Sequence, residues 1–380
     1  MRLAVPALGA ATIAVLTAAP AAGAQSTIAE LRAPAKVTAY GSVIAWSEYE
    51  PASREFHLMV REGGEQPRRV AVGPRRVPFD VDAGRREGGG TVLAYSRCRR
   101  EPAYRFGAAE AMLPNWSTGR GCDLYLYDLE SGRERRIRSV SARDASEFMP
   151  SVDGDRIAFA RVFERRRGTA AHVPGLFLAF LERGGSRRMH SGPRGVYERD
   201  RRGRIESGSA GAGPSALDLR GRRAAVLWEW RDENRGSPCQ RSAVLVELLR
   251  GLRPVRQSRF DRAAECGETG EGQTLVSATI DRGDVVYGRR RSIFDVPPAE
   301  TVHLLQANYH PRARARSSAS PGDIVSVTRS RRTGFAVTTP ASAGGRFGDD
   351  PVPTCSGAST REETHPPDCR LTELPNLLPR

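Results

Sequence analysis

The histidines and acidic residues of the sequence form no recognisable catalytic motif. The six histidines are His57, His172, His190, His303, His310 and His365. The chain contains no H-E-x-x-H or H-x-H pair, no G-x-S-x-G nucleophile elbow, no P-loop and no G-x-G-x-x-G loop. Asp153-Gly154-Asp155 lacks the spaced oxygen ligands and the distal glutamate of an EF-type calcium loop, so it indicates a β-turn. The sequence therefore predicts no catalytic, cofactor-binding or metal-binding residue.

Aromatic and arginine side chains are the remaining candidates for binding a ligand. Trp228 and Trp230 are two residues apart, so they lie on one face of a strand and could stack on a sugar or a peptide. The alternative is that both tryptophans pack in the core or between repeat units. Trp116, Arg165 and Arg166 are further ligand-binding candidates, because they lie in loop-like segments rich in arginine and glycine.

The charge of the chain is carried almost entirely by arginine. Lys+Arg number 59 against 44 Asp+Glu, giving a formal net charge of +15, and Lys36 is the only lysine. Hydrophobic residues make up 39%, which is too many for a disordered polycation. The arginines attract polyanions in general. They are nevertheless spread along the whole chain, without the concentrated stripe and aromatic platforms of a nucleic-acid site, so no nucleic-acid partner is expected.

The N-terminal segment has the pattern of a secretory signal peptide. Arg2 is followed by the apolar run Leu3 to Leu16, and Ala22-Gly23-Ala24 then provides a small-x-small cleavage pattern. The alternative is a retained transmembrane anchor, for which the run is short. We expect residues 1–24 to be removed and the chain from Gln25 onward to be secreted or periplasmic, with no later membrane span.

Cysteine usage agrees with export. An even number of cysteines in an exported chain favours disulfides, although six cysteines allow 15 connectivities. We expect sequential pairing, because the first and third pairs would each close a long insertion. The second would tie an insertion to the connection into the next unit. The predicted pairs are Cys98 with Cys122, Cys239 with Cys266, and Cys355 with Cys369.

These residues are placed by a repeat of short strands. Asp123–Leu129 alternates like a strand, Ser131-Gly132 is a turn signal, and Arg133–Ile137 returns as the next strand. Gly175–Leu181 and the residues after it repeat this order. The second strand of each unit starts near residues 43, 91, 156, 224, 284 and 333. Such units of four short strands predict an all-β fold, a six-bladed β-propeller of four-stranded antiparallel blades. Two separate β-sandwiches are the alternative.

The boundaries of this domain follow from the repeat. We expect a single domain over residues 25–375 with a short tail at 376–380, and insertions between the second and third strands of the longer units. The last unit supplies only three strands, and Thr27–Leu31 has the length of a strand. The sequence therefore predicts that Thr27–Leu31 pairs with the last unit and closes the ring.

Two segments resemble the WD40-like repeat of TolB-type propellers. Pro150-Ser-Val-Asp-Gly-Asp-Arg-Ile-Ala-Phe-Ala160 matches its turn and the following strand, and Asp123–Gly132 matches its later half. The other units resemble it less closely. The resemblance implies an extracytoplasmic propeller that binds other molecules. The additional N-terminal α/β domain of TolB is not expected here, because the repeats begin close to the predicted mature terminus, so the role of TolB is not carried over.

The sequence thus predicts a secreted, monomeric, non-catalytic binding scaffold without a cofactor. Its expected ligand is a protein or an anionic cell-envelope polymer, bound on the face where the long insertions project. The alternative is a propeller-fold hydrolase or lyase acting on extracellular polysaccharide or peptide. That alternative requires aspartate, glutamate or histidine side chains to converge at the mouth of the central channel.

Overall fold

The computed structural model of the protein is all-β over the residues that it describes. These are residues 26–33, 35–101, 119–163, 174–189, 192, 197–199, 205–208, 213–232, 239–266, 271–281, 284–293, 303–307, 316–319, 323–331, 333–339 and 369–374. Every regular element in these ranges is a β-strand. The same ranges contain no apolar helix of a length that would cross a membrane.

The strands group into units of four. Strand β1 (Ser26–Leu31) precedes unit 1, which contains β2 (Val37–Tyr40), β3 (Val43–Glu50), β4 (Glu55–Glu62) and β5 (Arg68–Arg69). Unit 2 contains β6 (Asp82–Arg86), β7 (Thr91–Arg100), β8 (Arg120–Asp128) and β9 (Arg133–Arg136). Unit 3 contains β10 (Ala145–Gly154), β11 (Arg156–Phe163), β12 (Gly175–Phe180) and β13 (Ser186–Arg188).

The second half of the chain continues this pattern. A hairpin of β14 (Tyr197–Arg199) and β15 (Ile205–Gly208) precedes unit 4, which contains β16 (Gly213–Arg220), β17 (Arg223–Asp232), β18 (Cys239–Arg250) and β19 (Arg253–Cys266). Unit 5 contains β20 (Glu271–Asp281), β21 (Asp284–Ile293), β22 (His303–Ala307) and β23 (Arg316–Ala319). Unit 6 contains β24 (Asp323–Ser330), β25 (Thr333–Thr339) and β26 (Cys369–Leu374).

Each unit is an antiparallel meander whose strands neighbour one another in chain order. Such meanders are the blades of β-propellers. The second strands begin at Val43, Thr91, Arg156, Arg223, Asp284 and Thr333, which agrees with the starts that the repeat predicts. The predicted pairing of the N-terminal strand is also confirmed, because β1 runs antiparallel to β26 from Ser26 opposite Glu373 to Leu31 opposite Cys369.

Units 2 and 3 depart from the expectation of separate four-stranded sheets. They form one eight-stranded sheet, because β6 and β10 pair in parallel through Asp153 with Arg85 and Gly154 with Arg86. The cause lies in Gly84, where a Cβ atom would stand 1.9 Å from the carbonyl oxygen of Val152. Because glycine has no Cβ, the two first strands approach closely enough to pair.

The placement of one insertion also corrects the sequence prediction. We expected the long spacings to come from insertions between second and third strands. The hairpin of β14 and β15 instead lies between the last strand of unit 3 and the first strand of unit 4. It adds to the distance along the chain between Arg156 and Arg223, where the second strands of these units begin.

The hydrophobic core is divided into clusters that lie between consecutive units. Trp228 of unit 4 packs in one cluster with Phe148 and Leu178 of unit 3. Another cluster joins units 6 and 1, where Val337 lies with Trp46. Each unit therefore buries its two faces against neighbours, as a single four-stranded meander cannot do alone.

Four cysteines of the described ranges are disulfide-bonded. Cys98 and Cys122 form a disulfide, as predicted, and they are directly opposed in the register of β7 and β8. The bond thus lies inside a strand pair and closes the base of the insertion that follows. Cys239 and Cys369 are also disulfide-bonded. The register places Cys239 directly opposite Cys266, across a hairpin rather than between an insertion and the next unit. Cys355 lies outside the described residues.

Candidate functional site

The first strand of every unit carries a buried polar residue at an equivalent place, and together these six residues form what we call the polar belt. Its members are at most 5% exposed although all are hydrophilic. Each lies next to an apolar residue that packs in the core. The polar belt consists of Thr38, Asp82, Ser151, Asp218, Thr279 and Thr328.

The polar belt connects units 1 to 5 in sequence through backbone hydrogen bonds. A belt side chain accepts a hydrogen bond from the amide that follows the belt residue of the next unit. The donor and acceptor atoms are Ala83 N to Thr38 Oγ1 (3.0 Å), Val152 N to Asp82 Oδ2 (3.0 Å), Leu219 N to Ser151 Oγ (2.7 Å) and Ile280 N to Asp218 Oδ2 (2.6 Å). Between units 6 and 1, the amide of Val37 donates to Ser326 Oγ at 3.1 Å.

The two belt carboxylates are further satisfied by hydroxyl groups. Thr38 donates to Asp82 at 3.0 Å, and Thr279 donates to Asp218. Ser151 Oγ lies 2.9 Å from Asp82 Oδ2 and 3.4 Å from Asp218 Oδ1, so one hydroxyl bridges the two carboxylates. Burial raises the pKa of Asp82, and the charge of Arg220 opposes this shift.

Arg220 occupies the centre of this arrangement. Its guanidinium donates to the carbonyl oxygen of Ala83 at 2.9 Å and reaches that of Ala39 at 3.4 Å. It lies 3.3 Å from the carboxylate of Asp218 and is centred 5.3 Å from the ring of Tyr40. Burial lowers the pKa of Arg220, but the negative charges of Asp218 and Asp82 raise it by more than burial lowers it. The pKa of Arg220 therefore lies above the usual arginine value. One side chain from unit 4 thus contacts units 1 and 2 as well.

The only lysine of the chain lies beside the polar belt. Lys36 precedes Val37 and is two residues before Thr38, and its charge lowers the pKa of Asp82. Its Nζ atom is buried and has no hydrogen-bond partner among the described residues. Lys36 therefore supplies a second positive charge that acts on Asp82, in addition to that of Arg220.

This geometry leaves little room for carboxylate chemistry at the centre. Asp82 is 2% exposed and Asp218 is 3% exposed, and the lone pairs of both accept protein hydrogen bonds. A general acid or base must reach a substrate proton directly or through one water molecule. Within the described ranges, no group of three or more histidine, cysteine, aspartate or glutamate side chains is arranged to hold a metal ion.

The tryptophans proposed as ligand-binding residues pack together in the structure. Trp228 is 1% exposed in the core cluster between units 3 and 4, and Trp230 is partly buried against the same cluster. Both thus lie on one side of β17, as their spacing predicts, and packing accounts for Trp228. Trp116, Arg165 and Arg166 lie outside the described residues.

A second buried charged group lies in unit 3. Glu147 is fully buried, and its Oε1 atom accepts hydrogen bonds from Arg161 Nε at 2.9 Å and from the amide of Ala142 at 3.2 Å. Its Oε2 atom has no partner among the described residues. Burial raises the pKa of Glu147 to about 7, against the opposing charge of Arg161. The guanidinium of Arg161 also stacks on Phe159 at 5.1 Å.

Glu147→Gln is expected to remove a pH dependence of stability. The folded protein holds the Glu147 proton up to about pH 7, whereas the unfolded chain releases it near the ordinary value of 4.5. As the pH rises from about 4.5 to about 7, the free energy of unfolding of the wild type should therefore fall relative to that of Glu147→Gln, by at most roughly 3 kcal/mol. Urea unfolding at several pH values measures the difference. Glu87→Gln, an exposed control, should track the wild type. A pH dependence shared by all three proteins would contradict the assignment.

Several of these residues were not singled out by sequence reasoning. Asp82 and Asp218 are each an isolated polar residue between apolar ones, which looks like a solvent-facing position, and Arg220 looks like part of the arginine-rich turn that follows its strand. The available signal for the two aspartates was their common place in the repeat, since the first strand of each unit carries a polar residue next to an apolar one there. Glu147 carried no comparable signal, because its burial depends on Arg161 from the next strand.

Comparisons with known proteins give likenesses among solved structures. No family model matches the chain, and no curated protein matches it. TolB from Acinetobacter baumannii aligns at 13% identity and a TM-score of 0.41 over 80% of this chain. The chain spans 62% of that TolB chain. An α-L-arabinanase from Penicillium chrysogenum aligns at 9% identity and a TM-score of 0.46, over 92% of this chain and 97% of the arabinanase. The β-propeller domain of the trilobed protease from Pyrococcus furiosus aligns at 10% identity and a TM-score of 0.38, over 83% of this chain and 92% of that one.

Proposed function

We propose that the protein is an exported, non-catalytic binding scaffold built as a six-bladed β-propeller. Its ligand is a protein or an anionic polymer of the cell envelope. The observation that carries this proposal is the state of the centre, where Arg220 contacts three units and both belt carboxylates are buried and hydrogen-bonded. Because the belt carboxylates are occupied by the protein itself, we expect the ligand to bind to the outer surfaces and loops.

Closure of the six units into a ring is part of this proposal. It is supported by the pairing of β1 with β26 and by the core cluster shared by Val337 and Trp46. The hydrogen bonds from Val37 to Ser326 and from Ser330 to Gly41 join the same two units. In a closed ring no sheet keeps an uncovered face, which favours one domain over residues 25–375.

Export is the second part of the proposal. The signal-like segment at residues 1–24 and the disulfide between Cys98 and Cys122 both fit an oxidising compartment. We further propose that the exported chain is a monomer with no nucleic-acid partner and no membrane span.

A propeller-fold hydrolase or lyase acting on polysaccharide or peptide is the second candidate. It is favoured by one observation, the pair of carboxylates on Asp82 and Asp218 that share the hydroxyl of Ser151. Paired carboxylates are the usual machinery of glycoside hydrolysis, but they must face the substrate from two sides. Here both are almost fully buried and already bonded to the backbone of the neighbouring unit, so we favour the scaffold.

The two candidates are separated by following the bound molecule. The chain without residues 1–24 is immobilised and exposed to envelope extract at low and at moderate salt, and the retained polymer or protein is sized before and after long incubation. We expect a retained ligand of unchanged size, and equal retention by Asp218→Asn provided that this variant folds. Retention of nothing at either salt would contradict the scaffold. Shortening of the ligand by the wild type, but not by Asp218→Asn, would establish the hydrolase or lyase instead.

A further inference from the structure

The outermost strands of units 1, 2 and 3 end in the same three-residue pattern. In each unit, two arginines are followed by an apolar residue that is at most 4% exposed. The amide of that apolar residue donates to a carbonyl of the third strand at 2.8 Å in every case, to Leu58, Leu124 and Leu176 respectively. The three segments are Arg68-Arg69-Val70, Arg135-Arg136-Ile137 and Arg187-Arg188-Met189.

The strand register confirms that these arginine pairs are structurally equivalent. The first arginine of each pair lies opposite Val60, Leu126 or Leu178, each a buried residue of the third strand. The second arginine lies opposite the residue before it, which is Met59, Tyr125 or Phe177. All six arginines are exposed. We call these six residues the arginine track.

Successive residues of a strand point to opposite sides of the sheet. The two arginines of a pair therefore extend to the two sides of one outer edge, toward the neighbouring units. Arg135 of unit 2 illustrates this, since it forms an ion pair at 2.9 Å with Glu182, which follows the third strand of unit 3. A molecule that crosses the outer edges of units 1 to 3 would thus meet guanidinium groups at each edge and in the gaps between them.

The arginine track has ion-pair partners that a ligand can replace. Arg68 pairs with Glu62, Arg69 with Glu50, and Arg136 with Asp123. The arginine side chains in these pairs are about half exposed, between 45% and 56%. Exposed pairs of this kind contribute little, because water and salt screen them and both side chains lose entropy. Protection of a sheet edge can be provided by a single charge or by other means, such as proline or a bulge. It does not require two arginines at one register in three units.

We propose that the arginine track binds a linear polyanion that runs across the outer edges of units 1, 2 and 3. The inference rests on the proposed scaffold function, and it names the surface and the chemistry of one ligand class. The ligand carries repeated oxyanion groups, either phosphate or carboxylate, because the planar guanidinium fork binds both in two-point hydrogen bonds. Binding at three edges at once makes affinity depend on the length of the polymer.

Binding of defined polymers to a charge-matched pair of variants tests the track. The track variant carries Gln at Arg68, Arg69, Arg135, Arg136, Arg187 and Arg188. The control variant carries Gln at six exposed arginines elsewhere, namely Arg32, Arg76, Arg99, Arg100, Arg250 and Arg370. Both lose the same formal charge, so any difference between them reports position. The probes are fluorescently labelled long-chain polyphosphate, tripolyphosphate and polygalacturonate, measured by anisotropy over a series of salt concentrations.

We expect the track variant to bind long-chain polyphosphate or polygalacturonate at least about ten-fold more weakly than the control variant, with a shallower salt dependence. Tripolyphosphate should distinguish the two variants far less, because it cannot span three edges. A preference for polyphosphate would assign the ligand to the phosphate class, and a preference for polygalacturonate to the carboxylate class. Equal losses in both variants would overturn the proposal, since binding would then follow net charge alone.

Variants of single pairs keep the proposal testable if the six-fold variant is unstable. Arg68→Gln with Arg69→Gln, and the corresponding changes in the other two pairs, should each remove part of the affinity for the long polymer. Complete loss in only one of them would overturn the track in favour of a local site. If the track fails while the wild type still retains an envelope ligand unchanged in size, the scaffold function stands and its ligand binds elsewhere.

Discussion

Arg220→Met is expected to lower the free energy of unfolding by about 3 to 5 kcal/mol, because it leaves buried carboxylates without their counterion. Asp82 and Asp218 are both almost fully buried, and the guanidinium of Arg220 is the positive charge in contact with them, at 3.7 Å and 3.3 Å. The same side chain donates to the carbonyl oxygens of Ala39 and Ala83. Its loss therefore removes hydrogen bonds between units as well as charge compensation.

The variant should also acquire a characteristic pH dependence. Burial already places the pKa of Asp82 above its usual range, and the charge of Arg220 holds it down. Without Arg220 the pKa of Asp82 rises further, so folding takes up a proton at pH values where the unfolded chain binds none. The deficit of Arg220→Met relative to the wild type should therefore shrink as the pH falls from neutral toward the ordinary aspartate value.

Urea unfolding across this pH range measures both effects. Arg222→Met is the matched control, because Arg222 is exposed, lies two residues away and, within the part of the chain that the structure describes, its side chain donates only to the carbonyl oxygen of Leu249. It should change the free energy of unfolding by less than about 1 kcal/mol. If Arg220→Met were as mild as this control, or if its deficit were the same at all pH values, Arg220 would not be the counterion of the two aspartates.

The sequence predicted features that depend on neighbouring residues and missed those that depend on contacts between distant ones. The sequence predicted where the second strands begin, for example at Val43 and Asp284, because strand alternation and turn residues are local properties. The pairing of β1 with β26 was also predictable, since the last unit lacked one strand. Both inferences needed only the pattern of apolar residues and the count of strands.

The polar belt and Arg220 escaped prediction because these residues act across units. Nothing near Asp82 in the sequence indicates that its carboxylate accepts the amide of Val152, which lies 70 positions away. The same holds for Arg220, whose contacts in units 1 and 2 are more than a hundred residues distant. For Trp228 the sequence left open whether it binds a ligand or packs in the core, and the structure buries it against the neighbouring unit.

The arginine track lies between these two cases. The segments Ser186–Met189 and Arg133–Ile137 were recognised as equivalent strands from their order in the repeat. Their arginines, however, were counted only as part of a charge spread over the chain. The strand register shows that these arginines are structurally equivalent, because Arg135 and Arg187 each lie opposite a buried residue at the same place in the preceding strand.

The largest effect of a single added carbon is expected at Gly84. Its Cα faces the backbone of the first strand of unit 3, where a Cβ atom would stand 1.9 Å from the carbonyl oxygen and 2.7 Å from Cγ1 of Val152. These are backbone and branched side-chain atoms, which cannot rotate away. Gly84→Ala must therefore separate β6 from β10 and stretch the hydrogen bond from the amide of Val152 to Asp82. We expect a loss of about 3 kcal/mol or more, or failure to fold.

Gly64→Ala is the matched control, because it adds the same methyl group at a position with no atom within 4 Å of the new Cβ. It should be neutral or stabilising by up to about 1 kcal/mol, since alanine restricts the unfolded chain. Urea unfolding compares the two, and hydrogen exchange at the amides of Val152 and Gly154 reports whether the first strands of units 2 and 3 have separated. Equal stability of the two variants, with unchanged exchange at Val152, would show that the strand contact at Gly84 is not required. A selective loss at Gly84 would mean that the joined sheet of units 2 and 3 depends on the missing side chain.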